Sequence, residues 1–179
     1  MQLTDDRLVL RPPKLDDVDA LYEAARESIS TVGRWLPWCH ANYQREESIA
    51  WINTCRRAWD TSESFPFFIF DAATLRLLGG CSINEIDRPR LRANLGYWVR
   101  GADQGRGIAT ATARLAARFA FQTLGMQRVE IVAAIDNIAS QCVAKKLGAT
   151  REGLLRNRLR IGQSQTDAYG YSLIPGDAL

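Results

Sequence analysis

The segment Trp98-Val99-Arg100-Gly101-Ala102-Asp103-Gln104-Gly105-Arg106-Gly107-Ile108-Ala109-Thr110 carries the residue types that hold an anion. An apolar, aromatic run passes through a glycine-rich turn directly into an amphipathic stretch. Glycines let the backbone turn tightly with its N–H groups aimed at one point, and a helix N-terminus adds roughly half a positive charge. A pyrophosphate is then held without salt bridges. Arg106 is placed to add a charge-assisted bond. No Gly-Lys-Ser or Gly-Lys-Thr closes the turn, which argues against a P-loop nucleoside triphosphatase. Gly105-x-Gly107-x-x-Thr110 comes near the dinucleotide fingerprint, and Glu130 stands at a suitable distance for a ribose contact. Against that, threonine replaces the third glycine, three predicted strands precede the loop, and too little chain follows for a dinucleotide sheet. A turn that only caps its helix and binds nothing is the remaining structural alternative.

A loop of this kind needs a sheet behind it and a helix in front. Phe65 to Asp71, Leu77 to Asn84 and Arg92 to Val99 are β-rich runs separated by polar or turn-prone residues, which predicts an antiparallel meander leading into the loop. From Gly107 to Leu124, Ile108, Ala111 or Thr112, Leu115 and Phe119 recur at helical spacing, and Gly125 supplies a stop. Val129 to Ile135 reads as a buried strand, Ala139 to Leu147 as a short helix ended by Gly148, and Leu155 to Ile161 with Ala168 to Leu173 as a final hairpin. Before the meander, Leu8 to Arg11 reads as a strand, Asp16 and Asp17 offer caps to a helix ending near Ser28, and Ile49, Ile52 and Trp59 share the face of another helix. Between these helices lies Trp35-Leu36-Pro37-Trp38, either a core plug or a binding wall.

Composition narrows the classes. The 179 residues, 46% of them hydrophobic, fit one domain spanning 1–179 with a full core. The net charge of +3 rests on 20 arginines and three lysines without dense basic runs, so no nucleic-acid partner is expected. Cys39, Cys55, Cys81 and Cys142 are scattered and His40 is the single histidine, so no metal site is expected. The same pattern points to a reduced, cytoplasmic setting. Met1 to Arg11 lacks the apolar run of a signal peptide, and no segment approaches the ~20 apolar residues of a membrane helix, so no membrane partner is expected.

Gln104-Gly105-Arg106-Gly107-Ile108-Ala109 resembles the Gln/Arg-x-x-Gly-x-Gly/Ala signature of the GNAT acetyltransferases. Leu95-Gly96-Tyr97-Trp98-Val99, Asn137-Ile138-Ala139-Ser140 and Val143-Ala144-Lys145-Lys146-Leu147-Gly148-Ala149 follow in the family's order. Leu8-Val9-Leu10-Arg11-Pro12 and Trp35-Leu36-Pro37-Trp38 are similar to the branch of ribosomal-protein serine and alanine N-terminal acetyltransferases. The resemblance implies an α/β (α+β) GNAT fold, with a mixed, strongly twisted sheet of about seven strands flanked by helices on both faces. Its strands around Tyr97 and Ile131 splay apart to admit acetyl-CoA, the acetyl donor.

The resemblance also implies roles. Trp98, Val99, Gln104, Gly105, Arg106, Gly107, Ile108, Ala109, Thr110, Asn137 and Lys146 are the expected cofactor contacts. Among them, a backbone N–H near Trp98 and Val99 meets the acetyl carbonyl, and Asn137 bonds the pantetheine amides. Ser140 is the expected general acid for the departing sulfur, with capping of its own helix as the alternative. Asn94 stands where related sequences place a glutamate base, and an amide cannot accept a proton at neutral pH. Glu85 is the first substitute, with Asp87 and Asp167 behind it and a water relay as the alternative. Trp35, Trp38, Asn94 and Asp167 are the expected acceptor contacts. Cys142 would permit a covalent acetyl-enzyme, but cysteine on a helix is more commonly a small buried side chain. Arg156, Arg158 and Arg160 alternate along a late strand and would share one face, toward an acidic acceptor protein or toward solvent. The expected reaction is direct attack by a primary amine, foremost a protein N-terminus and otherwise a small molecule. A homodimer is compatible with the family, and a non-catalytic acyl-CoA-binding module is the reading from another class.

Overall fold

The computed structural model describes residues 1–177, in which eight strands form one sheet in the order β1-β2-β3-β4-β5-β6-β8-β7. The strands are β1 (Leu3–Thr4), β2 (Leu8–Arg11), β3 (Phe65–Asp71), β4 (Leu77–Asp87), β5 (Arg92–Val99), β6 (Arg128–Ala134), β7 (Thr150–Ile161) and β8 (Ser164–Leu173). The helices are α1 (Val18–Glu27), α2 (Arg45–Thr61), α3 (Ile108–Gln122) and α4 (Ile138–Lys146). The eighth strand is β1, whose two residues are too few to show any periodicity.

Strand β3 explains why helices cover both faces. Its Phe-Pro-Phe-Phe-Ile-Phe run is buried throughout, and alternation sends successive rings to opposite sides. Phe65 and Phe67 meet Phe119 of α3 at 5.5 and 5.3 Å between ring centres. Phe68 and Phe70 pack with Leu21 of α1 and Ile52 of α2 on the other face. Each such ring contributes about 2–3 kcal/mol by leaving water. On α3 the fully buried positions are mostly small, Ala113, Ala116, Ala117 and Ala120, which brings the helix close to the sheet. Leu115, expected on the buried face, is only half-buried.

All neighbouring strands are antiparallel except β5 and β6. That parallel pair joins only at Arg92↔Arg128, Ala93↔Val129 and Asn94↔Glu130. Beyond it Leu95 to Val99 pair with β4 and Ile131 to Ala134 with β8, leaving a V-shaped gap. The end of β5 is tied to α1 instead. The buried Arg100 guanidinium grips both carboxylate oxygens of Glu27, 2.6 Å from Nε to one of them, and donates to the Leu77 carbonyl. Its hydrogen bond holds the Glu27 carboxyl below the usual range. The Gly101 N–H donates to Ser28 Oγ at 3.0 Å.

The C-terminal hairpin is irregular. Pairing shifts between Leu155 and Leu159, Asn157 takes a left-handed φ of 50°, and its N–H donates to Asp167 at 2.7 Å. This bulge breaks the alternation expected of Arg156, Arg158 and Arg160. Arg158 reaches Glu85 on β4 at 3.3 Å although β5, β6 and β8 lie between them in the sheet, so the hairpin curls back across it.

A second ion cluster ties β6 to β7 and β8. Glu152 accepts from Arg128 at 2.6 Å and from Ser172 Oγ at 2.8 Å, and these bonds bring its carboxyl from 4.5 down to about 2. A carboxyl lowered by folding stabilises the fold fully above its unfolded value and loses that contribution as pH falls from 4.5 toward about 2. The side chain is 44% exposed, so solvent screening leaves roughly 1 kcal/mol. Glu152→Gln should therefore lower the urea midpoint at neutral pH and leave the folded protein less sensitive to acid across that window. Urea unfolding at neutral and at acidic pH checks this.

Candidate active site

The glycine-rich loop is built for an anion by its backbone. Gly105 and Gly107 have φ of +76° and +78°, and a Cβ added at either would meet nothing within 4 Å. Glycine is required for the conformation, and the space before it is open. The first bond of α3 runs from the Ala111 N–H to the Gly107 carbonyl at 3.0 Å. The amides of Ile108, Ala109 and Thr110 are thus left without intrahelical acceptors, and the N-cap Gly107 supplies no side chain to satisfy them. Gln104 and Arg106 serve the loop rather than its concave face. Gln104 Nε2 donates to the Val99 carbonyl at 3.1 Å, and Arg106 lies on Asp103 at 2.8 Å. Asp103 is buried and also has Arg76 at 2.8 Å, since a buried carboxylate requires counter-charge. The expected bond from Arg106 to a phosphate is therefore not preformed.

One wall of the gap carries unpaired donors. The Arg100 N–H donates to Leu78 at 2.7 Å, and the β4–β5 register runs unbroken from Gly79↔Val99 to Asn84↔Asn94. Strand alternation then turns the Trp98 amide toward β4 and the amides of Tyr97 and Val99 toward the gap. Of the two residues expected to meet a carbonyl by a backbone N–H, Val99 is oriented to do so and Trp98 is not. The Trp98 indole packs where a Cβ at Gly80 would come within 2.8 Å of its Nε1, so glycine at 80 makes room for it.

Helix α4 covers the same region and places a pair of hydroxyls there. Asn137 is its N-cap, with Oδ1 accepting the Ser140 N–H at 3.0 Å. The cap is thus Asn137, with one amide oxygen already committed, and Ser140 keeps its hydroxyl for other work. Ser140 Oγ lies 3.0 Å from the Tyr97 hydroxyl, which also donates to the Ser140 carbonyl at 3.2 Å. Burial pushes the Tyr97 phenol up to about 12, so it stays protonated and able to donate. Sequence reasoning did not assign Tyr97 a chemical role. Its place on the strand beside the loop was visible, but the arrival of Ser140 above it was not. Lys146 is exposed in the last turn of α4.

The candidate acceptor residues separate. Trp38 is 36% exposed and edge-on to Trp98 at 5.3 Å and to Tyr43 at 5.9 Å, which makes it a wall beside the end of β5 rather than a core plug. Trp35 is half-buried beneath the Arg34 guanidinium. His40 lies on Glu47 at 3.1 Å, away from Tyr97 and Ser140 in its contacts. Asn94 Nδ2 donates to Asn84 Oδ1 at 2.8 Å. Glu85 is exposed, paired with Arg158, and beyond Asn84 on β4, whereas Tyr97 faces Cys81 further along the ladder. Asp87 holds Arg90 and Arg92, and Asp167 is committed to the Asn157 amide. Cys142 is exposed, against the expectation of a small buried side chain, while Cys39, Cys55 and Cys81 are buried. Among the described residues no cluster of three metal-ligating side chains occurs, and no helix is long and apolar enough to cross a membrane.

Comparison with known proteins agrees with this geometry. The family described as Acetyltransferase (GNAT) domain matches residues 7–150. A Bacillus subtilis (strain 168) protein named "Putative ribosomal N-acetyltransferase YdaF" is 28% identical over 174 residues, 95% of this chain and 92% of its own. The solved structure of a "putative ribosomal-protein-serine acetyltransferase" from Vibrio cholerae is 31% identical, with a TM-score of 0.87 over 98% of both chains. The fold is also that of RimL, a ribosomal L7/L12 alpha-N-protein acetyltransferase solved with coenzyme A, at a TM-score of 0.89, 22% identity and coverage of 97% of this chain and 98% of RimL.

Proposed function

From the membership of this chain in the GNAT acetyltransferase family, as an acetyl-CoA-dependent N-acetyltransferase, we propose that it acetylates the N-terminal α-amine of a protein, foremost a ribosomal one. The observation that carries this reading is the open side of β5, where the Val99 amide and the Tyr97–Ser140 hydroxyl pair face one gap beside the glycine loop. The similarity over nearly the whole chain to acetyltransferases named for ribosomal proteins supports the choice of acceptor.

Acetyl-CoA supplies the acetyl group already activated as a thioester. The amides of Ile108, Ala109 and Thr110 form the pyrophosphate seat, and the Val99 N–H is the donor for the oxyanion that develops when the amine attacks. Ser140, backed by Tyr97, returns a proton to the leaving sulfur. Attack is direct. An α-amine, titrating near 8, has a substantial neutral fraction at cytoplasmic pH, whereas a lysine amine near 10.4 has little.

The test is acetyl-CoA-dependent thiol release over free and blocked N-terminal Ser, Ala and Met peptides, amino acids and polyamines. Turnover on free-terminus peptides alone is the expected result. Turnover on small amines alone would replace the proposed acceptor with a metabolite or drug, and binding of acetyl-CoA without turnover on any amine would make the chain a binding module.

A further inference from the structure

Asn94 and Glu130 are the last pair joined before β5 and β6 separate. Their neighbours Ala93, Leu95, Val129 and Ile131 are buried in the core beneath α3, so strand alternation places Asn94 and Glu130 on the opposite face. On that face α1 packs on β4 and α2 on β3, one and two strands away from β5. Gly96, the next residue of β5 on the same face, has open space where a Cβ would be, with only Asn84 Nδ2 near at 3.9 Å. A bare strip therefore runs from the apex of the gap, over Gly96, toward Trp98 and the wall made by Trp38.

Glu130 is the carboxylate at the head of this strip. Charged groups approach it from its own strand, where Arg128 lies at 2.8 Å, and from β5, where Arg92 lies at 3.8 Å. Arg128 is shared with Glu152 of β7, which also takes Ser172 of β8, and Arg92 is shared with Asp87 of β4. The closest approach of each arginine to Glu130 is to Oε1, which takes the Arg128 hydrogen bond, and Oε2 accepts no hydrogen bond from the described residues. The other candidates stand elsewhere: Glu85 lies beyond Asn84 on β4, Asp87 lies opposite Arg92 with Arg90 and Arg92 on it, and Asp167 lies on β8 beside Ile135. Glu130 alone of the four is paired with Asn94 at the apex of the gap.

We propose that Glu130 binds the acceptor's ammonium group through Oε2 and takes its proton, the task that an amide at Asn94 cannot perform. This rests on the acyl-transfer reading above. The proton passes from the ammonium to the Glu130 carboxylate, directly or through one water, and frees the nitrogen lone pair. That pair forms the bond to the thioester carbonyl carbon. When the tetrahedral adduct collapses, the carbon–sulfur bond breaks, the thiolate is protonated from the Ser140–Tyr97 pair, and the second nitrogen proton replenishes that pair. Glu130 then returns its proton to solvent, so the products are the amide, free CoA and one proton.

The experiment measures kcat/KM against pH for the unsubstituted protein, Glu130→Gln, Glu130→Asp and Glu152→Gln, with acetyl-CoA affinity determined by calorimetry. Glu130→Gln should lose about a hundredfold near neutral pH. The loss should shrink above about pH 8, as the α-amine sheds its proton unaided. Glu130→Asp should restore part of the rate. Glu152→Gln, which removes a carboxylate from the same arginine, should keep the parent profile, and acetyl-CoA affinity should be preserved throughout. A Glu130→Gln loss that is small, or the same at every pH, overturns the assignment while leaving acyl transfer intact. Absence of turnover by the unsubstituted protein on every amine overturns the acyl-transfer reading and this inference with it.

Discussion

Phenylalanine at Tyr97 is expected to lower kcat about a hundredfold, the usual scale for removing a proton-transfer partner, with little change in acetyl-CoA affinity. The ring still fills its place between β5 and α4, so the loss isolates the hydroxyl that sits 3.0 Å from Ser140 Oγ. Burial has raised that phenol to about 12, so it remains a donor across the range in which an α-amine becomes reactive. A basic limb in the kcat profile near neutral pH therefore belongs to another group. Ser140→Ala should cause a comparable loss, and the double variant should lose far less than the product of the two, because the hydroxyls act as one unit. Thiol release under saturating acetyl-CoA measures all three. A change of less than about threefold in Tyr97→Phe would remove the phenol from the mechanism.

Valine at Gly107 should weaken acetyl-CoA binding about a hundredfold, equivalent to roughly 2.8 kcal/mol. Part of this is conformational, since a β-branched residue at φ +78° is strained by about 1–2 kcal/mol. The rest is occlusion, because the new side chain projects into the open space beside the loop. Gly125 separates the two effects. It has φ +70° at the far end of α3, so Gly125→Val should lower thermal stability by a similar strain and leave cofactor affinity unchanged. Calorimetric titration with coenzyme A decides. Equal losses of affinity in both variants would mean that Gly107 acts only through folding.

The glycine loop was legible because its chemistry is local: one glycine per required φ and one helix beginning immediately after. Strand β5 was legible for the same reason, its apolar run ending at Arg100 and Gly101. Tyr97 and Glu130 were not, because their roles depend on which strand or helix lies opposite. The register Asn94↔Glu130 joins segments separated by the whole of α3, and nothing in either segment encodes it. The irregularity at Asn157 defeated the reading of the late arginines, since Arg156, Asn157 and Arg158 stand against Asp167 alone and the left-handed residue among them interrupts the regular alternation. Trp35 and Trp38 stayed ambiguous in sequence because a tryptophan suits a core and a wall equally, and only the contact of Trp38 with Trp98 separates the two uses.

Three residue pairs are the whole of the seam between β5 and β6. The sheet is therefore two leaves on a short spine, one of β1 to β5 and the other of β6, β8 and β7. A molecule lodged between the leaves and bonded to both acts as binding does on any folding equilibrium, stabilising the bound arrangement by about 2.7 kcal/mol at a hundredfold excess over its dissociation constant. The donor thus does structural work before any chemistry, because a molecule bonded to both leaves fastens them together beyond the reach of the three seam pairs. Coenzyme A alone should therefore raise the thermal midpoint, with no amine present.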